Sequence, residues 1–62
     1  MTIANQLKTR RTALGLTQEQ IATRLHVSTP AVNKWEKGHS TPDVALLPAL
    51  ARLLEIDMNT LF

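Results

Sequence analysis

The sequence has no cysteine, which excludes disulfides and thiolate zinc sites and leaves nothing to indicate an oxidising compartment. It is also poor in aromatics, with one Trp, one Phe and no Tyr. Its β-branched residues are scattered, and nowhere does an alternation of apolar and polar residues persist, so strands are not expected. No apolar run approaches the roughly 20 residues of a membrane span, and the opening MTIANQLKTRR is too polar for a signal peptide. A soluble, cytoplasmic protein is the expectation. His26 and His39 stand far apart without a clear ligand partner, so neither a metal nor another cofactor is expected. The chain also lacks a Ser, His and acid set, paired carboxylates and a Gly-rich phosphate loop at useful spacing, and a domain this small offers little cavity for a substrate. An enzyme is not expected.

Repeats, low-complexity tracts and Gly/Ser linkers are missing as well, so residues 1–62 read as a single domain. A chain of this length buries only about 60 % of its unfolded surface, and its stability should be modest. The formal net charge of +2 and pI near 9.7 permit nucleic-acid binding without compelling it. Placement of the charge matters more than its sum.

What is present is concentrated in TQEQIATRLHVSTPAVNKWEKG, Thr17 to Gly38. Ile21, Ala22 and Leu25 form one apolar stripe on a helix of about two turns. Thr17 precedes it with Gln20 three positions on, a capping box of the S/T-x-x-E/Q type. Ser28 is a second N-cap, with Pro30 inside the following first turn where a missing N–H costs nothing. Only His26 and Val27 are left to turn the chain. Beyond Ser28, Val32 and Trp35 share one face with Ala31 beside them, while Thr29, Pro30, Asn33, Lys34 and Lys37 lie on the other. Gly38 ends this helix, since Gly readily takes the left-handed conformation of a C-cap. Two short capped helices around a tight turn, the second with an uncharged-to-basic outer face, are the layout of a helix-turn-helix. Duplex DNA is therefore the first partner to test.

The remainder reads as an all-α bundle. Ile3, Leu7 and Leu14 place a first helix at about Ile3 to Leu14, closed by Gly15. Pro42 and Pro48 constrain the region after Gly38, because a proline inside a helix costs about 3 kcal/mol. Pro48 is cheapest in a first turn, so the fourth helix is expected to start near Leu46 or Leu47, after a loop from Ser40 to Ala45 that holds at most one irregular turn. Its many leucines make it the most buried helix. Asp57 is an N-cap candidate for a last short helix from Met58, and Ile56 can staple onto Leu61. The apolar tail Met58, Leu61 and Phe62 is a candidate dimer contact, or a surface for an additional C-terminal domain or protein partner. The end at Phe62, in mid-helix, reads as that of a fragment.

Arg10 and Arg11, Gly15-Leu16-Thr17-Gln18, Leu25 to Ser28, Trp35-Glu36-Lys37-Gly38, Pro42, Leu50-Ala51 and the closing Ile56 to Leu61 together resemble the Cro/CI-type helix-turn-helix family, also called XRE, of phage repressors and bacterial regulators. The resemblance covers nearly the whole chain. It implies a compact five-helix bundle of the lambda-repressor-like kind, a bacterial or phage-encoded transcriptional regulator that inserts its third helix into the DNA major groove, usually as a homodimer on a two-fold symmetric operator. His26 departs from the pattern, which commonly has Gly in the turn, and His tolerates the left-handed backbone better than most other residues.

A recognition helix turns its N-terminal residues toward base edges, so residues 29–37 supply the reading surface. Asn33 can pair with N6 and N7 of adenine, Lys34 can donate to O6 or N7 of guanine, and Thr29 can bond a base or touch a thymine methyl. Pro30 offers apolar contact only. For phosphate, the N-terminus of the second helix is an anion site, which brings in Gln18. Gln18 also matches the glutamine that the family sets against the DNA backbone. Arg10, Lys37 and the loop residues His39 and Ser40 are the further phosphate candidates. The loop continues Thr41-Pro42-Asp43, with no Arg or Lys to reinforce it. The resemblance also implies that Arg11 and Glu36 form a structural salt bridge, while Trp35, on one face with Val32, is read as core rather than as a ligand platform. The alternative function is a protein-interaction module, an antitoxin or adaptor that keeps the fold. Its motives are the thin positive charge and Asp43 in the loop.

Overall fold

The computed structural model describes residues 3–56. In chain order these form α1 (Ile3–Ala13), α2 (Gln18–Leu25), α3 (Thr29–Lys37), a 3-10 turn (Val44–Leu46) and α4 (Leu47–Leu54), with no strand among the described residues. The sequence predicts five helices, and four of them lie among the described residues. The expected fifth, from Met58 onward, and the Met58, Leu61 and Phe62 contact lie outside the described residues. The 3-10 turn occupies the loop in which one irregular turn was expected.

Local chemistry accounts for the boundaries. Thr17 Oγ1 accepts from the Gln20 N–H at 3.0 Å while Gln20 Oε1 accepts from the Thr17 N–H at 2.8 Å, the reciprocal capping box that starts α2. Ser28 Oγ accepts from the Ala31 N–H at 3.2 Å and starts α3, with Pro30 in its first turn. Both helices end on a left-handed residue, His26 at φ 57° and Gly38 at φ 78°. Each sends its N–H back to carbonyls of its own last turn, satisfying groups that would otherwise be orphaned. α1 closes one residue before Leu14, because Gly15 turns left-handed at φ 71° and the Leu16 N–H returns to the Arg11 carbonyl. Asp43 Oδ1 caps the 3-10 turn through the Ala45 N–H at 3.0 Å. Pro48 falls in the first turn of α4, where no intrahelical N–H bond is lost.

One core joins all four helices: Leu7 from α1, Ile21, Ala22 and Leu25 from α2, Val32 and Trp35 from α3, and Leu47, Leu50 and Leu54 from α4. Leu50 is fully buried at 0 % exposure, and burying such a side chain stabilises by about 1.5–3 kcal/mol. Val27 and Leu16 pack at the edge of this core, so both turns flanking α2 are tied down by side chains as well as caps. Gln6 is buried beside Leu7, a polar position that the apolar stripe of α1 does not foretell. The loop after α3 is held by Pro42, which is also buried.

Candidate nucleic-acid interface

Val32 and Trp35 are buried against the core, and this sets the rotation of α3 about its axis. The opposite side is left outward: Pro30, Lys34 and Lys37 are exposed, and Thr29 and Asn33 are half-buried. α3 contains a single acid, Glu36, and it is withdrawn, its side chain only 4 % exposed. The outward face therefore carries two lysines and no negative charge.

Glu36 is the hub of a polar network linking three helices. Arg11 on α1 donates from Nε to Oε2 at 2.6 Å and from Nη2 to Oε1 at 3.0 Å, a two-point pairing of guanidinium and carboxylate. Its third donor, Nη1, reaches the Leu16 carbonyl at 2.9 Å and fixes the chain just before α2. Gln18, first residue of α2, donates from Nε2 to Glu36 Oε1 at 3.0 Å and accepts on Oε1 from Asn33 Nδ2 at 3.4 Å. Burial pushes the Glu36 carboxyl up, but the hydrogen bonds from Arg11 and Gln18, with the charges of Arg11 and Lys8, outweigh it and hold the group below its ordinary value. The hydrogen bond to Glu36 raises Arg11 above its ordinary value, and this prevails over the lowering by burial.

The residues expected to face a nucleic acid thus divide. Thr29, Pro30, Asn33 and Lys34 share one side of α3, and Gln18 adjoins Asn33 across the gap between α2 and α3. Lys37, His39 and Ser40 are exposed at the far end of α3 and in the loop after it. The His39 N–H is spent on the Lys34 carbonyl at 2.9 Å, so that amide serves the helix end. Arg10 is drawn toward the scaffold: its Nε donates to the Leu54 carbonyl at 3.1 Å, capping the end of α4. Sequence reasoning missed both this cap and the place of Gln18 between Glu36 and Asn33. Neither has a local signature, because each depends on where helices distant in the chain cross.

A family model described as Helix-turn-helix matches residues 7–61. The HTH-type transcriptional activator BcrR of Enterococcus faecalis is 34 % identical over 61 residues, which cover 98 % of this chain and 30 % of that protein. The chain therefore spans about 30 % of the length of this curated relative. Among solved structures, the restriction-modification controller protein C.AhdI from Aeromonas hydrophila superimposes with a TM-score of 0.83 at 30 % identity, over 97 % of this chain and 91 % of that one. The P22 c2 repressor protein, crystallised with the synthetic operator 9T, gives a TM-score of 0.91 at 24 % identity, over 100 % of this chain and 94 % of its own. At that identity the likeness shows the shared fold.

Proposed function

The chain belongs to the helix-turn-helix family, in its Cro/CI type, and from that premise we propose that it is a sequence-specific double-stranded DNA-binding module of a transcriptional regulator. The observation that carries the reading is the outward face of α3, stripped of negative charge by the withdrawal of Glu36 onto Arg11. A phosphate-lined groove repels a carboxylate, so an acid turned inward and neutralised is what such a surface requires. The HTH-type transcriptional activator BcrR and the operator-bound P22 c2 repressor support the same direction.

In this reading α3 lies in the major groove. Asn33 contacts adenine, Lys34 guanine, and Thr29 and Pro30 the neighbouring base edges. Gln18 meets phosphate at the N-terminus of α2, where free N–H groups favour an anion. Lys37, His39 and Ser40 hold the backbone at the other end of α3. Arg10, with Nε engaged by Leu54, adds charge more than a dedicated hydrogen bond. Two copies bind half-sites one helical turn apart, about 34 Å.

Duplex titrations across a range of salt concentrations test this. Binding should weaken as salt rises, with a slope near −0.9 per phosphate contacted, and replacing Thr29, Asn33 and Lys34 together by Ala should remove preference for sequence. Absence of salt-dependent duplex binding, with a protein partner still retained after nuclease treatment, would overturn the reading in favour of a protein-interaction module.

A further inference from the structure

We propose that the Arg11–Glu36 pair, acting through Gln18, fixes which way round the Asn33 amide faces outward, and that this relay makes Asn33 a selective adenine reader; the inference rests on the DNA-binding reading above. The relay follows from the polarity of the groups. An ionised carboxylate can only accept hydrogen bonds. Glu36 is kept in that form by the two-point bond from Arg11. Gln18 must then turn its NH₂ toward Glu36, and it does, with Nε2 3.0 Å from Oε1.

Once Nε2 is committed, Oε1 is the Gln18 atom that faces α3. An oxygen there selects a donor, so Asn33 turns its own NH₂ inward, with Nδ2 3.4 Å from Gln18 Oε1. One Nδ2 hydrogen and the Oδ1 acceptor remain to Asn33, in a set order. Adenine offers N7 as acceptor and the N6 amino group as donor in the major groove, the complement of that pair. An amide free to rotate presents either order and loses that freedom on binding, whereas an amide set beforehand avoids the loss. Gln18 is in this account a positioning residue for specificity, in addition to any phosphate contact of its own.

The test compares base preference, which a merely structural or phosphate-binding Gln18 does not move. The position read by Asn33 is the one at which Asn33→Ala loses preference in a set of duplexes differing by single base pairs. Wild type should prefer adenine there by about 5- to 100-fold, the range expected of a two-point amide contact. Gln18→Met keeps the length of the side chain and cannot form the relay. It should lower that preference several-fold while leaving discrimination at the other positions unchanged. Gln18→Ala provides a second variant, and thermal unfolding shows that each remains folded. A preference at the Asn33 position as strong in both variants as in wild type, with affinity reduced equally for every duplex, overturns the relay and leaves Gln18 a phosphate contact. Wild type that binds no duplex overturns the DNA-binding reading itself, and the relay with it.

Discussion

Nε of Arg11 lies 2.6 Å from Oε2 of Glu36, and the two side chains, 14 % and 4 % exposed, tie α1 to the last turn of α3. Burying both charges is costly, and the two-point geometry with further bonds to Gln18 and the Leu16 carbonyl offsets that cost. The same pair clears negative charge from the outward face of α3, so it joins stability to the proposed function.

Removal of one partner should therefore be severe. Arg11→Ala strands the Glu36 carboxylate and releases the Leu16 carbonyl. The expected loss is about 3 kcal/mol or more, a large part of the stability of a domain this small. Urea unfolding checks it: a midpoint close to that of wild type would show that the pair contributes little.

The pH dependence follows from the lowered Glu36 carboxyl. A group whose folded pKa lies below its unfolded value, about 4.3 for Glu, binds protons more readily in the unfolded chain. Its contribution is fully present above the unfolded value and is lost as pH falls from there through the folded value. Stability should hold from neutral pH to about 5 and then decline, and Glu36→Gln should flatten part of that decline while lowering the plateau. Denaturation midpoints between neutral pH and about pH 3 would reveal it, and an acid limb of the same steepness in both proteins would count against Glu36 as its source.

His26 and Glu55 occupy nearly the same backbone geometry, φ 57°, ψ 41° and φ 57°, ψ 44°, at the C-caps of α2 and α4. The left-handed conformation costs an L-residue about 1–2 kcal/mol, and histidine tolerates it better than most. Glycine removes the clash at both positions. Glu55→Gly should stabilise more than His26→Gly, because Glu55 also places a negative charge at the negative end of a helix. Melting temperatures should rise for both, with about 1 kcal/mol gained at Glu55. A drop for either would mean that its side chain makes a compensating interaction.

Affinity and specificity should separate along α3. Lys37→Ala is expected to weaken binding about equally for all duplexes and reduce the magnitude of the salt slope by about 1, whereas Asn33→Ala should cost about 1–3 kcal/mol on the preferred site and little on others. Binding isotherms on matched and scrambled duplexes measure both. The reverse pattern would exchange the roles of the two residues.

Much of the fold is legible in the sequence because helix ends are local chemistry. Thr17 with Gln20, Ser28 with Pro30, and Gly38 mark the ends of α2 and α3 within a few residues of themselves, and Pro48 dates the start of α4 by what a proline forbids. The left-handed turn at His26 is suggested by the family resemblance, whose turn commonly has Gly at that position. Glu55 takes the same conformation with no such clue, since a C-cap without Gly or Asn carries no signature. The Arg11–Glu36 pair is suggested by family resemblance, yet its extension to Gln18 and Asn33 is not. Those bonds exist only because α2 crosses α3 where Gln18 meets both side chains. Arg10 illustrates the same limit, reaching a carbonyl on α4 that lies 44 positions away.

Whether the outward face of α3 reads duplex sequence is decided by selection of bound duplexes from a random pool, carried out in parallel with the wild-type chain and with Thr29, Asn33 and Lys34 replaced by Ala. A short enriched motif is expected for wild type, repeated at a spacing near one helical turn, and an unenriched pool for the triple variant at equal occupancy. The same motif enriched by both proteins, or none by wild type, would contradict it.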